Sequence, residues 1–258
     1  MNPTERFSNR VDNYRRYRPG YPAEVVDLIR QTARLSPGDP IADVGSGTSI
    51  FTRRLLEAGY EVFAVEPNQE MRKAAERDLA AWPGFHSVAA PAEHTGLPDR
   101  HVRAITSAQA FHWFDRPAVR LEFARILVPG QWVFLIWNER KLVGPPFQEE
   151  YQALLATLGQ TYEGVRSRAT EAEGELKSFF NPGSFGIAHF DNPQRLTWEG
   201  LRGRFLSSSY VPMADDPRHA GLLAGLESIF QRHQREGEVE FDQETSVYYG
   251  QVSEDGNS

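Results

Sequence analysis

Two glycines close an apolar run in Asp43-Val44-Gly45-Ser46-Gly47, and a lone acid, Glu66, closes the next apolar run 21 residues after Gly45. Glycine has no Cβ, so backbone at Gly45 and Gly47 can approach a ligand closely. A carboxylate at the end of a second strand can accept both hydroxyls of a ribose diol. Taken singly, the first feature also fits a tight turn with no ligand, and the second a surface glutamate beside a turn. Together they specify a ribose-bearing ligand, because each stands at the end of its own strand, where open parallel sheets bind ligands.

Both NAD and S-adenosylmethionine satisfy this much. The dinucleotide fingerprint wants a third glycine where this chain has Ile50. It also sets a pyrophosphate on the helix N-terminus, whereas S-adenosylmethionine has no phosphate and carries an ammonium and a sulfonium that welcome nearby acids. Asp43 is such an acid, so the balance favours the sulfonium cofactor.

The stretch "DVGSGTS" resembles the first motif of class I S-adenosylmethionine-dependent methyltransferases, and "AVEPN" resembles their ribose-binding second motif. "APAEHTGLP" and "ITSAQAFHWFD" resemble their adenine-side and fourth-strand motifs, so four motifs stand in the family's order over residues 41–115. The N-terminal "FSNRVDNYRRYRPGYP" and the long region after the fifth strand resemble the small-molecule branch that includes trans-aconitate methyltransferase. Two departures stand out: Ser49 replaces a frequent third glycine and is expected to cap the following helix, and Gln131 stands where a Gly-Gly pair often precedes strand five.

The resemblance implies S-adenosyl-L-methionine as cofactor. It implies that backbone at Gly45, Ser46 and Gly47 lines the methionine and ribose portions and that Glu66 takes the ribose hydroxyls. Pro67, Asn68 and Met71 would flank the adenine, Ala92 and Glu93 would meet its edge, and Ala108 and Gln109 would lie near the methionine amine. Tyr14 and Arg18 would reach back to the cofactor's carboxylate, for which an arginine offers a bidentate donor.

Methyl transfer from a sulfonium already has an activated leaving group, so positioning can supply ~7–11 kcal/mol and a general base only ~3–5 kcal/mol more. His112, in "AQAFHWFD", is the histidine that the motifs place at the mouth of the site, and it is the candidate base. Its other reading is a residue that orients the loop or stacks on Trp113 and Phe114. The six remaining histidines show no HExxH-type spacing, so no metal is expected. Trp113, Trp137, Asn138, Arg140, Arg204 and Tyr210 are candidate acceptor-pocket residues beneath a cap, and inward arginines would favour an anionic acceptor such as a carboxylate. An NAD-dependent oxidoreductase and a non-catalytic S-adenosylmethionine-binding domain are the competing readings. A hydrolase is opposed because Ser46 lacks the flanking glycines of a nucleophile elbow.

Elements must place these residues at one sheet edge. "AEVVDLIRQTA", "SIFTRRLLEAG", "NQEMRKAAERDLA" and "DRPAVRLEFARIL" carry helical periodicity, with Asn68 and Asp115 as expected N-caps. "PIADV", "EVFAV", "FHSVAA", "VRAITSAQA" and "QWVFLIW" read as strands between them, a βαβ rhythm that predicts a parallel sheet. After residue 140 come a helix around 151–158, a possible sixth strand in "FGIAHFDNPQRL" limited by Pro193, helices around 197–207 and 219–234, and a last strand in "EVEFDQETSVYYGQV". The expected fold is α/β: a Rossmann-like, seven-stranded, mostly parallel sheet with an antiparallel last strand, helices on both faces and a helical cap. One domain would span 1–258, with a core of 22–140 plus strands near 185–196 and 239–250, and a cap of 141–182 and 197–238.

The 258 residues carry a formal charge of −7, which argues against a nucleic-acid binder with a basic face. Zero cysteines exclude disulfides, thiolate metal sites and a cysteine nucleophile. No apolar stretch approaches a membrane span and the first residues lack a signal-peptide core, so a cytoplasmic protein without membrane insertion is expected, and the resemblance implies that it acts on a small molecule.

Overall fold

The computed structural model describes residues 17–141, 144–159, 173–208 and 210–253. Its first half alternates strands and helices: α1 (Ala23–Ala33), β1 (Pro40–Val44), α2 (Ile50–Glu57), β2 (Glu61–Val65), α3 (Gln69–Leu79), β3 (Phe85–Val88), β4 (Val102–Ala108), α4 (Arg116–Ile126) and β5 (Leu127–Arg140). The second half holds α5 (Pro146–Ala156), α6 (Glu173–Phe179), β6 (Gly186–Asp191), β7 (Gln194–Thr197), α7 (Trp198–Leu206), α8 (Arg218–His233), β8 (Glu238–Phe241) and β9 (Gln243–Gly250).

The main sheet has seven strands in the order β3-β2-β1-β4-β5-β9-β6. The first five are mutually parallel, and β9 inserts antiparallel between β5 and β6. The order reverses direction at β1, so the crossovers on its two sides leave a crevice beyond the strand ends between β1 and β4.

β5 shows why the core is two-sided. Val133, Leu135 and Trp137 pack on one face of the sheet with Val119 and Phe123 of α4, while Phe134 and Ile136 pack on the other with Val25 and Ile29 of α1. Strands covered on both faces read as continuous apolar runs, as "WVFLIW" does. A third cluster is separate: Tyr151 and Leu155 of α5, Phe205 of α7, Leu226 and Phe230 of α8 and Phe241 of β8 pack together, in the region expected to form the cap.

Two expected strands divide. The predicted sixth strand breaks at Asn192-Pro193, so β6 stays in the main sheet while β7 pairs with β8 in a separate two-stranded sheet. Proline has no N–H to donate to a ladder, and the Asn192 side chain is already committed to Gly20 O at 2.9 Å. The predicted last strand likewise divides at Asp242 into β8 and β9. Asn68 and Asp115 do cap α3 and α4, with side-chain oxygens accepting from Glu70 N, Met71 N and Ala118 N. Among the described residues, no helix is long and apolar enough to cross a membrane.

Candidate active site

A cavity opens at the carboxyl ends of β1, β2 and β4, and its wall contains Gly45, Ser46, Gly47, Glu66, Pro67, Asn68, Met71, Ala108, Gln109 and Trp113 of the expected residues. Parallel register brings them together: Val44 pairs with Val65, and Asp43 with Thr106, so the three strands end side by side. Gly45 is glycine for two reasons. Its φ is +71°, and a Cβ there would stand 2.4 Å from Ala110 Cβ and 3.0 Å from Phe114 Cζ.

Glu66 is 7 % exposed and is held from two directions, with Oε2 accepting from Gly47 N at 2.9 Å and Oε1 from Asn68 N at 2.8 Å. Burial raises its carboxyl above the usual range, against those two amide bonds, which favour the ionised form. Each carboxylate oxygen has a second lone pair, so the amides fix its orientation and leave acceptor capacity toward the cavity. That arrangement fits a ribose diol.

Several expected contacts lie elsewhere. Asp43 does not reach the cavity wall: its oxygens accept from Thr52 Oγ1 at 2.6 Å and Thr106 Oγ1 at 2.9 Å, and burial pushes its carboxyl up to about 6. It ties α2 to β1 and β4 rather than facing a sulfonium. Ser49 does not cap α2 either; it sits in the left-handed region at φ +62°, makes no capping bond, and its hydroxyl has no partner among the described residues. Ala92 is buried in the core, and Glu93 Oε1 accepts from Asp115 N at 2.9 Å, away from the cavity wall. Tyr14 lies outside the described residues.

His112 is also absent from the wall. Trp137 Nε1 donates to its Nδ1 at 3.5 Å, which occupies the ring nitrogen a neutral base would use, and the ring tilts against Trp113 at 4.9 Å. Trp137 is 2 % exposed and packs edge-on to Phe111 and Tyr248, so it is a core residue. Asn138 is a clamp: its Nδ2 donates to Gly20 O at 3.1 Å, its Oδ1 accepts from Thr245 and Asn192, and its own carbonyl accepts from Gln109 Nε2 at 3.0 Å.

The remaining candidates assemble at the third cluster, beside a residue expected elsewhere. Arg18 Nη2 donates to Ser207 O at 3.4 Å, so its side chain is committed at the cap and not at the cofactor cavity. Arg140 lies 5.6 Å over the Tyr151 ring, and Arg204 lies 4.1 Å over Phe241 while donating to Gln194 Oε1 and, at 2.7 Å, to Gln243 Oε1. Lost hydration, then the like charges of Arg140 and Arg18, pull Arg204 down to about 9 despite the opposing influence of Tyr151. Burial alone would raise the Tyr210 phenol, but Arg140, a Ser208 hydrogen bond, Arg18 and Arg204 outweigh it and hold the group low. Tyr151 moves the other way, raised by burial and by Tyr210.

Sequence reasoning did not assign Tyr21, Thr48, Ile50, Phe51, Ala110 and Phe114 to the site, and these complete the cavity wall. Tyr21 and Phe51 stack edge-on at 4.9 Å across the chain, a contact no local pattern announces. Phe114 and Ala110 had a signal: whatever crosses Gly45 so closely must come from the loop after β4.

A methyltransferase-domain family model matches residues 42–135. A methyltransferase-like protein of Schizosaccharomyces pombe, itself uncharacterized, is 30 % identical over 224 residues, covering 86 % of this chain and 85 % of that one. An uncharacterized methyltransferase of Mycobacterium bovis is 38 % identical over 134 residues, 52 % of each chain, so the match spans about half the length of that relative. Among solved structures, a candidate type II methyltransferase from Anaeromyxobacter dehalogenans superposes with a TM-score of 0.63 at 24 % identity, covering 92 % of this chain and 99 % of that one. Phosphoethanolamine N-methyltransferase 2 of Haemonchus contortus, solved with S-adenosylhomocysteine, has a TM-score of 0.57 at 14 % identity, covering 95 % of this chain and 57 % of that one. With the glycine loop and Glu66 at adjoining strand ends, these likenesses place the chain in the class I S-adenosylmethionine-dependent methyltransferases.

Proposed function

We propose that this chain methylates a small anionic molecule, with a carboxylate oxygen as the acceptor and the cap as its binding region. The observation that carries this reading is Arg204. It is part-buried, drawn toward neutrality by its surroundings, adjacent to Arg140 and Arg18, and among the described residues it makes no ion pair. Like charges gathered away from water are stabilised when an anion joins them, and guanidinium groups match carboxylate geometry.

S-adenosylmethionine supplies a methyl group on a positively charged sulfur. The chain's own residues do the rest: Gly45 and Gly47 admit the ligand, Glu66 orients it through a ribose diol, and Asn68 and Met71 flank the base. Gln109, anchored by Asn138, stands at the β4 end beside Ala108. A carboxylate acceptor is already deprotonated, so no base is required, consistent with an engaged Nδ1 on His112.

The test is methyl-ester formation, followed by mass spectrometry, on a panel of small carboxylic acids beside phenols and amines. Turnover confined to phenols or amines would contradict the carboxylate assignment. Turnover on acids that disappears in Arg204→Met, with S-adenosylhomocysteine affinity kept, would support it.

A further inference from the structure

Two side chains hold the Arg204 guanidinium by hydrogen bonds, and both are neutral. Its Nη1 donates to Gln194 Oε1 of β7, its Nη2 donates to Gln243 Oε1 of β9 at 2.7 Å, and its Cζ lies 4.1 Å from the centre of the Phe241 ring. These contacts fix where the charge stands and leave it whole, because a glutamine carbonyl accepts a hydrogen bond without carrying a charge. Among the described residues Arg204 has no carboxylate partner.

Gln243 is the fully buried member of the pair. It stands opposite Arg140 in the β5–β9 ladder, and its backbone carbonyl accepts from Asn192 N at 2.9 Å. Directly opposed residues of neighbouring strands lie within side-chain reach, so a carboxylate at this position would meet two arginines. The acids on either side of it in the chain have other partners: Asp242 lies 3.3 Å from Lys141 Nζ, and Glu244 lies 3.6 Å from His189 Nδ1. A guanidinium only donates, so the Gln243 amide must turn Oε1 toward Arg204, and its Nε2 is buried with no hydrogen-bond partner among the described residues. Replacing that nitrogen by oxygen, as in glutamate, would break no hydrogen bond and would give Arg204 a counter-charge.

We propose that Gln243, with Gln194, is a positioning residue that sets the charge class of the acceptor: the two carbonyls hold Arg204 in place and leave its charge to be met by an anionic group of the acceptor. This rests on the reading of the acceptor as an anion and adds the residues that keep the guanidinium available to it. An arginine already paired with a carboxylate of its own chain offers less to an incoming anion. The one-atom difference between glutamine and glutamate therefore decides what this region accepts.

The test compares wild type with Gln243→Glu and Gln194→Glu, which supply the carboxylate from two different strands. KM and kcat are measured on the panel of small carboxylic acids, thermal shift is followed with the same acids, and S-adenosylhomocysteine affinity is measured by calorimetry. In both variants KM for the acid is expected to rise about tenfold or more with a smaller change in kcat, as for the loss of a hydrogen bond to a charged group. S-adenosylhomocysteine affinity is kept, and the melting temperature without acid holds or rises. A purely structural role would instead lower the melting temperature, kcat and affinity together. That pattern, or an unchanged KM in Gln243→Glu, overturns the inference and leaves carboxylate methylation standing; Gln194→Glu decides the matter should the first variant not fold. If wild type methylates no acid, yet acids raise its melting temperature and not that of Gln243→Glu, the anion site stands and the methylated group is reassigned. If acids neither react with wild type nor stabilise it, both readings fall.

Discussion

The cofactor cavity and the cap cluster satisfy polar groups in opposite ways. At the strand ends, Glu66 is held by two backbone amides and Asp43 by two threonine hydroxyls, each acid matched to neutral donors that the fold holds in place. Beneath the cap, Arg18, Arg140 and Arg204 share one neighbourhood with two phenols, so the charge there is mostly of one sign. The first arrangement is complete within the fold. The second becomes favourable when an anion arrives, which suits a region that chooses the acceptor.

The sharpest way to break the cofactor side is Gly45→Ala. The added methyl meets Ala110 Cβ at 2.4 Å in a backbone at φ +71°, so sterics and strain act together. A loss of about 2–5 kcal/mol in urea unfolding is expected, with S-adenosylhomocysteine binding abolished. Gly38→Ala is the control, since φ there is +86° but nothing lies within 4 Å of the new Cβ. It should cost only about 1 kcal/mol and leave binding intact. Equal effects would mean that strain, not crowding by the loop after β4, decides the position.

The next effect is a pH dependence confined to the same side. Asp43 is raised from 3.8 to about 6 by burial, so the folded state holds its proton more tightly than the unfolded one. The sign follows: this group's contribution is fully present below pH 4 and is lost as pH rises through 6. The difference corresponds to about 3 kcal/mol between pH 7 and pH 4. Asp43→Asn should remove that slope, read as the difference between the two stability curves. A slope unchanged by the substitution would show that the buried Asp43 carboxyl is not its source.

These contrasts also mark what was legible in the sequence. The cofactor side could be read because its parts are local: a glycine turn, an acid closing the next strand, and an N-cap at Asn68, all placed on one edge by parallel register. The role of Asp43 was not local. Thr52 lies a turn into the next helix and Thr106 on a neighbouring strand, so the acid looked available when its oxygens were taken. The cap cluster draws on positions 18, 140, 151, 204 and 210, which no spacing rule connects. Arg140, Arg204 and Tyr210 were candidates as charged or aromatic residues at or beside the expected cap, and Trp137 was named with them but packs in the core. Pro193 limited the sixth strand as expected, yet nothing before the structure showed that β7 would leave the sheet to pair with β8.

Paired substitutions separate the two regions functionally. If the acceptor is the proposed anion, Arg204→Met should lower its kcat/KM about 100-fold, near 2.7 kcal/mol, while S-adenosylhomocysteine affinity stays the same. Folding stability should hold or rise, because removing a desolvated, like-charged group relieves strain on its neighbours. Glu66→Gln should do the reverse, weakening S-adenosylhomocysteine about tenfold with little change in acceptor KM. Cofactor affinity lost in Arg204→Met would mean that the regions are coupled, and the Asn138 clamp between Gln109 and Gly20 is the connection to examine.

The smallest effects come from the helix caps, which test whether each region is stabilised independently. Asn68 Oδ1 accepts from Glu70 N and Met71 N, both at 3.0 Å, and Asn68 also lines the cofactor cavity. Thr197 Oγ1 accepts only from Gly200 N, at 3.3 Å, and starts α7 in the cap. Asn68→Ala should therefore cost about 1–2 kcal/mol and Thr197→Ala less than about 1 kcal/mol. The binding consequences differ more than the stabilities. Asn68 holds Glu66 through its backbone amide, which alanine keeps, so S-adenosylhomocysteine should weaken only as far as the α3 terminus shifts. Thr197→Ala touches no cavity wall and should leave that affinity unchanged, while loosening α7, which carries Arg204, and so raising KM for the acceptor. A Thr197 variant that weakened the cofactor and spared the acceptor would reverse the roles given to the two regions.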